Sequence, residues 1–329
     1  MVQIDPPQPG RPYAMIAPAD AGERLDEISP DRIEAAYRQY GALLLRGFGA
    51  EADDGLDAFR HFARTHCPTA VINETPGRAV LNAAHAIQGV DGGTNAFALH
   101  PELAREPWKP DAALFGCLTP PGQNGSGGGE TTLCDGAALA AALPDAVRQG
   151  LLGRRLVYVM GVWPELLRFW LGTDAPDDAL LASPPRPCPY RFFRLPDGRI
   201  AREFSRPALH KPMFANGPAF GNFLLFARFN NGRGNFPLLD DLTPVPEDWL
   251  QAIQATGAAL TAEVAWQAGD VLMLDNTRFL HGRRAIVDAS ERRIATFFGY
   301  VRFAVPDAEE IPDAPWRRED FRPPLPPME

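Results

Sequence analysis

A histidine and a glutamate stand two residues apart in the segment NAFALHPELAREPWKPDAALFG, residues 95–116. The segment has no helical pattern, and side chains at positions i and i+2 of an extended strand point to the same side. An imidazole and a carboxylate at His100 and Glu102 could therefore converge on one metal ion. A convergent pair alone does not yet define a site.

A second histidine completes a ligand set much later in the chain. Residues 264–284 read VAWQAGDVLMLDNTRFLHGRR, which predicts a strand, a polar turn and then His281. Iron(II) oxygenases use two imidazoles and one carboxylate on one face of the metal, and they leave three adjacent positions open for cosubstrate and oxygen. His100, Glu102 and His281 supply that set. The other histidines are not accompanied by further candidate ligands or motifs, and they are expected to be surface or core residues.

Short helices and short apolar strands alternate along the chain and must position these side chains. Helices are predicted to begin at Asp31 and to cover 54–66, and the ALLLRG run between them is predicted to be a buried strand. Further strands are predicted at LVYVM (156–160), YRFFRL (190–195), FLLFARF (223–229), DVLML (270–274) and RRIATFFGYVRF (292–303). Short strands with irregular connections favour a barrel or jelly roll over a regular βαβ repeat.

No break in the chain is strong enough to predict two domains, so residues 1–329 are expected to form a single domain of mainly β class with flanking helices. Residues 172–190, GTDAPDDALLASPPRPCPY, are proline-rich and predict a long loop, and loops of this length are often lids. The tail after Val305 is similarly proline-rich.

Composition excludes several classes of protein. With 32 basic and 41 acidic side chains the formal charge is −9, which opposes non-specific attraction to nucleic acid or anionic membrane. The four cysteines form no CxxC pair, so neither a zinc ribbon nor a dense disulfide framework is predicted. The N-terminus lacks a basic region followed by an apolar core, and no run of about 18 apolar residues occurs. A cytoplasmic location is expected.

The ordered motifs resemble those of the taurine dioxygenase and clavaminate synthase-like superfamily of iron(II)- and 2-oxoglutarate-dependent oxygenases. Four pieces match in order, namely the H-x-E pair at 100–102, GGETTLCDG at 128–136, DNTRFLHGR at 275–283 and the arginine-bearing strand from 292. The resemblance implies a double-stranded β-helix (jelly-roll) core and an Fe(II) ion held by His100, Glu102 and His281. It also implies 2-oxoglutarate and O2 as cosubstrates, with release of succinate and CO2.

The resemblance implies further roles and one departure. Many members have aspartate where this chain has Glu102, whereas the clavaminate synthase-like branch has glutamate. The retained carboxylate makes the halogenating branch, which has a small residue there, an unsuitable match. Thr131 takes the place of the threonine that helps to hold the 2-oxoglutarate carboxylate near the metal, and Arg293 takes the place of the arginine that holds the far carboxylate.

An arginine suits that second role, because guanidinium offers two parallel donors that match a carboxylate. Arg292 and Arg293 are adjacent on a predicted strand, so their side chains face opposite sides and only one can reach the pocket. Arg293 is the expected anchor, and Arg292 is the expected solvent-facing residue.

The substrate is less constrained by the sequence. Asn95 and Asn230 are candidates for the pocket, and Arg283 could bind substrate or brace the turn after His281. The resemblance leaves open free amino acids, sulfonates, carrier-tethered aminoacyl groups and late natural-product intermediates. Because carrier proteins are acidic and would be repelled by a net charge of −9, a freely diffusing small molecule of a biosynthetic pathway is favoured over a carrier-bound substrate.

Two alternative functions remain open at this point. An oxygen-independent hydrolase or isomerase could use a metal ion on the same barrel as a Lewis acid. A non-catalytic binding module is the other alternative. The run NGSGGGETT (124–132) does not add a third, because it lacks the Gly-Lys-Ser/Thr ending of a phosphate-binding loop. It is expected to form a turn before a strand that carries Thr131.

Overall fold

The structure of the protein is a computed structural model that describes residues 2–49, 55–72, 78–122, 128–288 and 292–324. Within these residues the α-helices are α1 (Pro30–Tyr40), α2 (Gly55–His66), α3 (Gly136–Ala142), α4 (Asp145–Leu151), α5 (Pro164–Leu171), α6 (Asp178–Ala182), α7 (Leu224–Phe229) and α8 (Glu247–Leu260). None of the helices in these ranges has the length and apolar character needed to cross a membrane.

The β-strands of the described residues are, in chain order, β1 (Val2–Asp5), β2 (Ala14–Pro18), β3 (Ala42–Leu45), β4 (Thr69–Ala70), β5 (Arg78–Asn82), β6 (Ile87–Asp91), β7 (Phe97–His100), β8 (Ala112–Thr119), β9 (Thr131–Asp135), β10 (Arg155–Gly161), β11 (Arg191–Arg194), β12 (Ile200–Pro207), β13 (Leu238–Leu239), β14 (Ala262–Val264), β15 (Val271–Asp275), β16 (Phe279–Arg283) and β17 (Arg293–Tyr300). They are accompanied by short 3-10 helices.

The strands of the described residues form three sheets. The major sheet has the order β1-β2-β3-β15-β8-β17-β6-β5, and β4 pairs with β17. The minor sheet has the order β14-β9-β16-β7, and the third sheet has the order β11-β12-β10-β13. The pairing is antiparallel except between β2 and β3. The mainly β architecture with flanking helices agrees with the prediction from the sequence.

Strand β15 shows why the chain carries unbroken apolar runs. Leu272 and Leu274 pack with residues of the minor and third sheets, whereas Val271 and Met273 pack with α1 and α2. Both faces of the strand are therefore buried, and a strand buried on both faces needs no polar alternation. The same reason explains the predicted ALLLRG strand, which is β3.

Several predicted elements are confirmed, and one is wrong. The helix from Asp31 corresponds to α1 and the helix at 54–66 to α2, and residue 54 lies outside the described residues. The segment FLLFARF (223–229) was expected to be a strand but is the helix α7. A short apolar run does not distinguish the two, and here the Oδ1 atom of Asn222 accepts a hydrogen bond from the Leu224 N–H and helps to start the helix.

The segment 172–190 is also more ordered than the expected loop. It contains α6, whose first turn is capped by the side chain of Asp177, which accepts a hydrogen bond from the Leu180 N–H at 2.8 Å. Leu181 and Tyr190 are buried in the same hydrophobic cluster as the inner residues of the major sheet. The segment is therefore anchored to the core at two points.

Candidate active site

His100, Glu102 and His281 are buried together, and their candidate ligand atoms all lie within 4.8 Å of one another. His100 ends β7 and His281 is the residue paired with it on β16, so the two imidazoles are neighbours across antiparallel strands. Their ring centroids are 4.6 Å apart, and the His281 Nε2 atom is 3.9 Å from the Glu102 Oε2 atom. The three residue types in this arrangement suit a six-coordinate Fe(II) ion with one open face.

Glu102 reaches this cluster by a different route from the one expected. Strand β7 ends at His100, and Glu102 lies in the turn that follows. The side chain of Asn276 holds that turn, because its Oδ1 atom accepts from the Glu102 N–H at 2.8 Å and its Nδ2 atom donates to the Glu102 carbonyl at 3.1 Å. The convergence is confirmed, but a buried asparagine produces it rather than strand alternation.

The two imidazoles are in the state that metal binding requires. The Nδ1 atom of His100 is 2.8 Å from the Ala98 carbonyl, which can only accept, so Nδ1 carries the proton and Nε2 is free for a metal. Burial lowers the pKa of His100 below its ordinary value. Burial and the neighbouring His100 lower the pKa of His281 well below its ordinary value. Both rings are therefore neutral at pH 7.

A cavity of about 310 Å³ opens onto the three residues, and Thr131 and Arg292 also line it. Arg292 is buried, and its Nε atom donates to the Gly129 carbonyl at 2.8 Å while its Nη2 atom lies 3.4 Å from the Thr131 hydroxyl. Its Nη1 atom is buried and has no hydrogen-bond partner among the described residues. Burial and the nearby Arg283 lower the pKa of Arg292 to about 10, so it remains a cation at pH 7.

Arg293 does not occupy the position expected of it. Its side chain is exposed and does not line the cavity, whereas Arg292 does. The prediction that only one of the two can reach the pocket agrees with the structure, but the inward residue is Arg292, which lies just before β17 and next to a register shift between Arg293 and Ile294. Two identical residues in sequence give no signal of which side faces inward. Arg292 is therefore the residue whose position fits the anchor.

The glycine turn before β9 places Thr131 at the edge of the cavity. Gly128 and Gly129 both have left-handed backbone conformations, with φ of 82° and 78°, as the expected turn requires. The Thr131 hydroxyl oxygen accepts a hydrogen bond from the Trp266 Nε1–H at 3.0 Å. Trp266 was not identified from the sequence. Because the oxygen faces two N–H donors, the Thr131 hydroxyl hydrogen is left to donate to a ligand.

The candidate substrate residues have different outcomes. Asn95 is exposed and does not line the cavity, and only its carbonyl is used, as an acceptor for Arg283. The Asn230 side chain accepts from the Ala98 N–H at 3.1 Å and supports β7, while its neighbour Asn231 lines the cavity. Arg283 lines the cavity and also braces the chain before β7, because its Nη2 atom donates to the Gly93 carbonyl at 2.5 Å.

Two further arginines line the cavity and were missed in the sequence. The Arg78 Nη2 atom is 3.3 Å from the Glu102 Oε2 atom, and its buried Nη1 atom has no hydrogen-bond partner in the ranges that the structure describes. Arg105 lies over the ring of Phe223 at 5.1 Å. Neither belongs to a sequence motif, since they are brought to the cavity from separate segments by folding.

Aromatic rings of the cavity wall lie beside the two imidazoles, and the expected lid does not line this cavity. The rings of Phe115 and Phe226 lie 5.0 Å from His281 and 4.4 Å from His100, respectively. Of the described residues, none in 172–190 lines this cavity, although Pro189 lines a different one. The structure therefore offers no contact through which that segment would cover the three ligands.

Comparisons with known proteins agree with this geometry. The profile of the family described as taurine catabolism dioxygenase TauD, TfdA family, matches residues 10–297. The structure resembles PvcB, described as an Fe, alpha-ketoglutarate dependent oxygenase from an isonitrile synthetic pathway, with 14% identity, a TM-score of 0.58 and coverage of 93% of this chain and 94% of that one. No curated protein matches the chain.

Two other solved structures have the same fold. A taurine dioxygenase from Burkholderia xenovorans is 14% identical, with a TM-score of 0.56 and coverage of 94% of this chain and 92% of that one. AAD-2, solved in complex with Mn(II) and N-oxalylglycine, is 14% identical, with a TM-score of 0.54 and coverage of 94% and 99%. At this identity the likeness concerns the fold.

Proposed function

Because this chain belongs to the TauD/TfdA family and is an Fe(II)- and 2-oxoglutarate-dependent dioxygenase, we propose that it oxidises a C–H bond of a small amino-acid-like molecule or natural-product intermediate. The observation that carries the proposal is the convergence of His100, Glu102 and His281 in one cavity with an arginine that has an unpartnered donor. A site for a Lewis-acid metal alone has no need of that arginine, and a binding module has no need of the metal ligands.

The residues fit the metal and its cosubstrate. The chemistry that Fe(II) and 2-oxoglutarate supply when bound is decarboxylation of the keto acid to succinate and CO2, coupled through O2 to oxidation of a substrate C–H bond. His100 and His281 would hold the metal as neutral imidazoles, and Glu102 would hold it as a carboxylate oriented by its turn. Asn276 would keep that turn in place, as outer partners of metal ligands commonly do.

Arg292 and Thr131 would orient 2-oxoglutarate. The unpartnered Nη1 atom of Arg292 is suited to the far carboxylate, and the Thr131 hydroxyl is free to donate. This assignment replaces the one expected for Arg293. The apolar rings of Phe115 and Phe226 would exclude water beside the two imidazoles.

We infer that the substrate carries an anionic group. Arg78 and Arg105 line the cavity, and neither is needed for 2-oxoglutarate if Arg292 holds it. The buried, unpartnered Nη1 atom of Arg78 supports this inference, because a buried donor without a partner is costly unless a ligand satisfies it. A free small acid fits this description better than a carrier-bound group whose charged end lies far from the reacting carbon.

Four further expectations from the sequence are proposed with the function. The antiparallel major and minor sheets, whose inner residues share one hydrophobic cluster, support a double-stranded β-helix core. The same continuity supports one oxygenase domain over residues 1–329. A cytoplasmic location and a role in biosynthesis stay predictions.

Anaerobic addition of Fe(II) and 2-oxoglutarate tests the metal site. We expect the visible absorption band of a keto acid chelated to iron in the wild type, and its loss in His100→Ala, Glu102→Ala and His281→Ala. His61→Ala, which removes an exposed histidine, is the control and should keep the band. Absence of the band from the wild type at saturating iron would show that the ligand assignment is wrong.

Succinate release and a mass gain of oxygen test the substrate class. Carboxylates and sulfonates are assayed beside their neutral amides and beside carrier-loaded acyl groups. We expect stimulation by a free acid and none by its amide, and Arg105→Gln should raise the KM for that acid. Stimulation by carrier-loaded groups alone would reject the free acid while leaving the oxygenase assignment intact.

A further inference from the structure

A second cavity, of about 610 Å³, lies between strand β12 and the C-terminal tail. It shares no lining residue with the cavity at the metal ligands, as far as the described residues go. Its apolar walls include Phe204, Leu209, Met213 and Trp316. Cavities of this size hold small organic molecules.

Two basic side chains in this cavity form no ion pair with any carboxylate among the described residues. The Lys109 Nζ atom donates to the Gly221 carbonyl at 3.0 Å, and the Arg206 Nη2 atom donates to the carbonyls of Glu106 and Pro107 at 2.8 and 3.2 Å. Arg206 Nε is buried and has no hydrogen-bond partner in the described chain. Backbone carbonyls satisfy donors but do not neutralise charge, so Arg206, and Lys109 when it is protonated, carry a positive charge without an ion pair in the described chain.

Most of the other charged groups of the cavity are paired, whereas the Asp307 carboxylate, which accepts from the Glu309 N–H at 2.9 Å, forms no ion pair among the described residues. Arg155 binds Glu309, and Arg317 binds both Asp111 and Glu310. Lys109 and Arg206 are thus the basic groups left for a ligand, together with the neighbouring Lys211 at the cavity wall.

The electrostatics of Lys109 agree with this geometry. Burial and then the charge of Arg206 lower the pKa of Lys109 to about 7, while the carboxylates of Asp275, Asp307 and Asp111 oppose the shift. Two like charges that are partly removed from water destabilise each other. A bound anion would remove that repulsion.

We propose that this cavity is a binding site for a small organic anion, whose carboxylate or phosphate head contacts Lys109 and Arg206 and whose apolar body contacts the walls. Guanidinium and ammonium together recognise such heads by charge-assisted hydrogen bonds. The site is independent of the metal ligands, so it does not depend on the function proposed above.

The test uses the protein loaded with Mn(II) and N-oxalylglycine, so that the position beside Arg292 is occupied. Arg78 and Arg105 of the metal cavity stay open to an anion, and the reporter is therefore Met213, which lines only the second cavity. The methionine methyl groups are labelled with ¹³C, and Met213 is assigned by comparison with Met213→Leu. The probes are benzoate, phenyl phosphate, inorganic phosphate and the neutral benzamide. We expect benzoate or phenyl phosphate to shift the Met213 signal saturably, with no effect on Met273, which is fully buried and does not line the cavity.

Variants locate the charges that bind. Lys109→Met and Arg206→Met should each weaken the affinity about tenfold or more, as expected for loss of one charge-assisted hydrogen bond. Arg199→Gln, at an exposed arginine outside the cavity, should leave it unchanged.

Three results would overturn the proposal. They are no Met213 shift with either organic anion, an equal shift with benzamide, or unchanged affinity in both cavity variants. Binding of inorganic phosphate without either organic anion would also reject the class of ligand. The comparison of benzoate with benzamide uses the unmodified chain, so it tests whether binding requires a negative charge on the ligand even if a variant does not fold.

Discussion

At the scale of single residues, a shift of one position separates the arginine that lines the cavity, Arg292, from the arginine that faces solvent, Arg293. The two side chains are chemically identical and adjacent, yet one is buried beside Thr131 and the other is exposed. A buried cation with an unsatisfied donor is costly, and a dicarboxylate that fills the cavity would repay that cost. The exposed cation is surrounded by water and loses nothing when no ligand binds.

Replacing Arg292 by leucine should therefore weaken 2-oxoglutarate binding strongly. Leaving one carboxylate unpaired at a desolvated site costs about 2–5 kcal/mol, so the dissociation constant should rise by at least about thirtyfold. The dissociation constant is measured by adding 2-oxoglutarate to the Fe(II)-loaded protein under anaerobic conditions and following the absorption band of the chelated keto acid. Arg293→Leu is the matched control and should change the constant by less than about twofold. The opposite order of effects would return the anchor to Arg293.

At the level of elements, the register between strands creates the site. Pairing of β7 with β16 sets His100 opposite His281, and pairing of β16 with β9 sets Thr131 opposite Arg283. A slip of one residue would turn one imidazole away from the other. The major sheet supports this arrangement through β8, which is covered on its outer face by α2.

That covering depends on the absence of a side chain at Gly116. A methyl group there would lie 2.7 Å from the ring of Phe59 on α2, which is too close unless the helix shifts. Gly116→Ala should therefore lower the free energy of unfolding by about 1–3 kcal/mol, measured by urea denaturation. Gly161→Ala on β10 meets no atom within 4 Å and should be neutral or slightly stabilising. Equal stability of the two variants would contradict this packing.

For the whole molecule, the C-terminal tail is tied to the major sheet by one arginine. Arg317 donates to both oxygens of the buried Asp111, at 2.9 and 3.0 Å, and also binds Glu310. Its guanidinium lies 4.6 Å from the centre of the Tyr300 ring. The proline-rich tail is therefore packed against the rest of the protein, and its ion-paired residues form one side of the second cavity.

Arg317→Leu should destabilise the protein by about 3–5 kcal/mol at pH 7, because it leaves the Asp111 carboxylate buried without its partner. Burial already raises the pKa of Asp111, and loss of Arg317 should raise it further. A folded-state pKa above the unfolded value means that the ionised carboxylate destabilises the folded protein. The loss of unfolding free energy in Arg317→Leu should therefore be largest at high pH and should shrink as the pH falls below the folded-state pKa of Asp111. Urea denaturation at several pH values measures it.

The adjacent arginine provides the control for that measurement. Arg318 is largely exposed, and its nearest carboxylate, on the exposed Asp320, is 3.9 Å away. Arg318→Leu should change the free energy of unfolding by less than about 0.5 kcal/mol at every pH. A deficit in Arg317→Leu that stays constant with pH would exclude Asp111 as its cause.

The sequence by itself determined the residue types of the metal ligands, the order of the motifs, the family and most strands, because these depend on chemistry and on local periodicity. Only the tertiary structure decided which of two adjacent arginines faces inward and that FLLFARF is a helix. It also decided that Asn276 holds the turn of Glu102 and that Arg78 reaches the same cavity. Such features depend on strand phase and on contacts between segments far apart in the chain, for which neighbouring residues carry no signal.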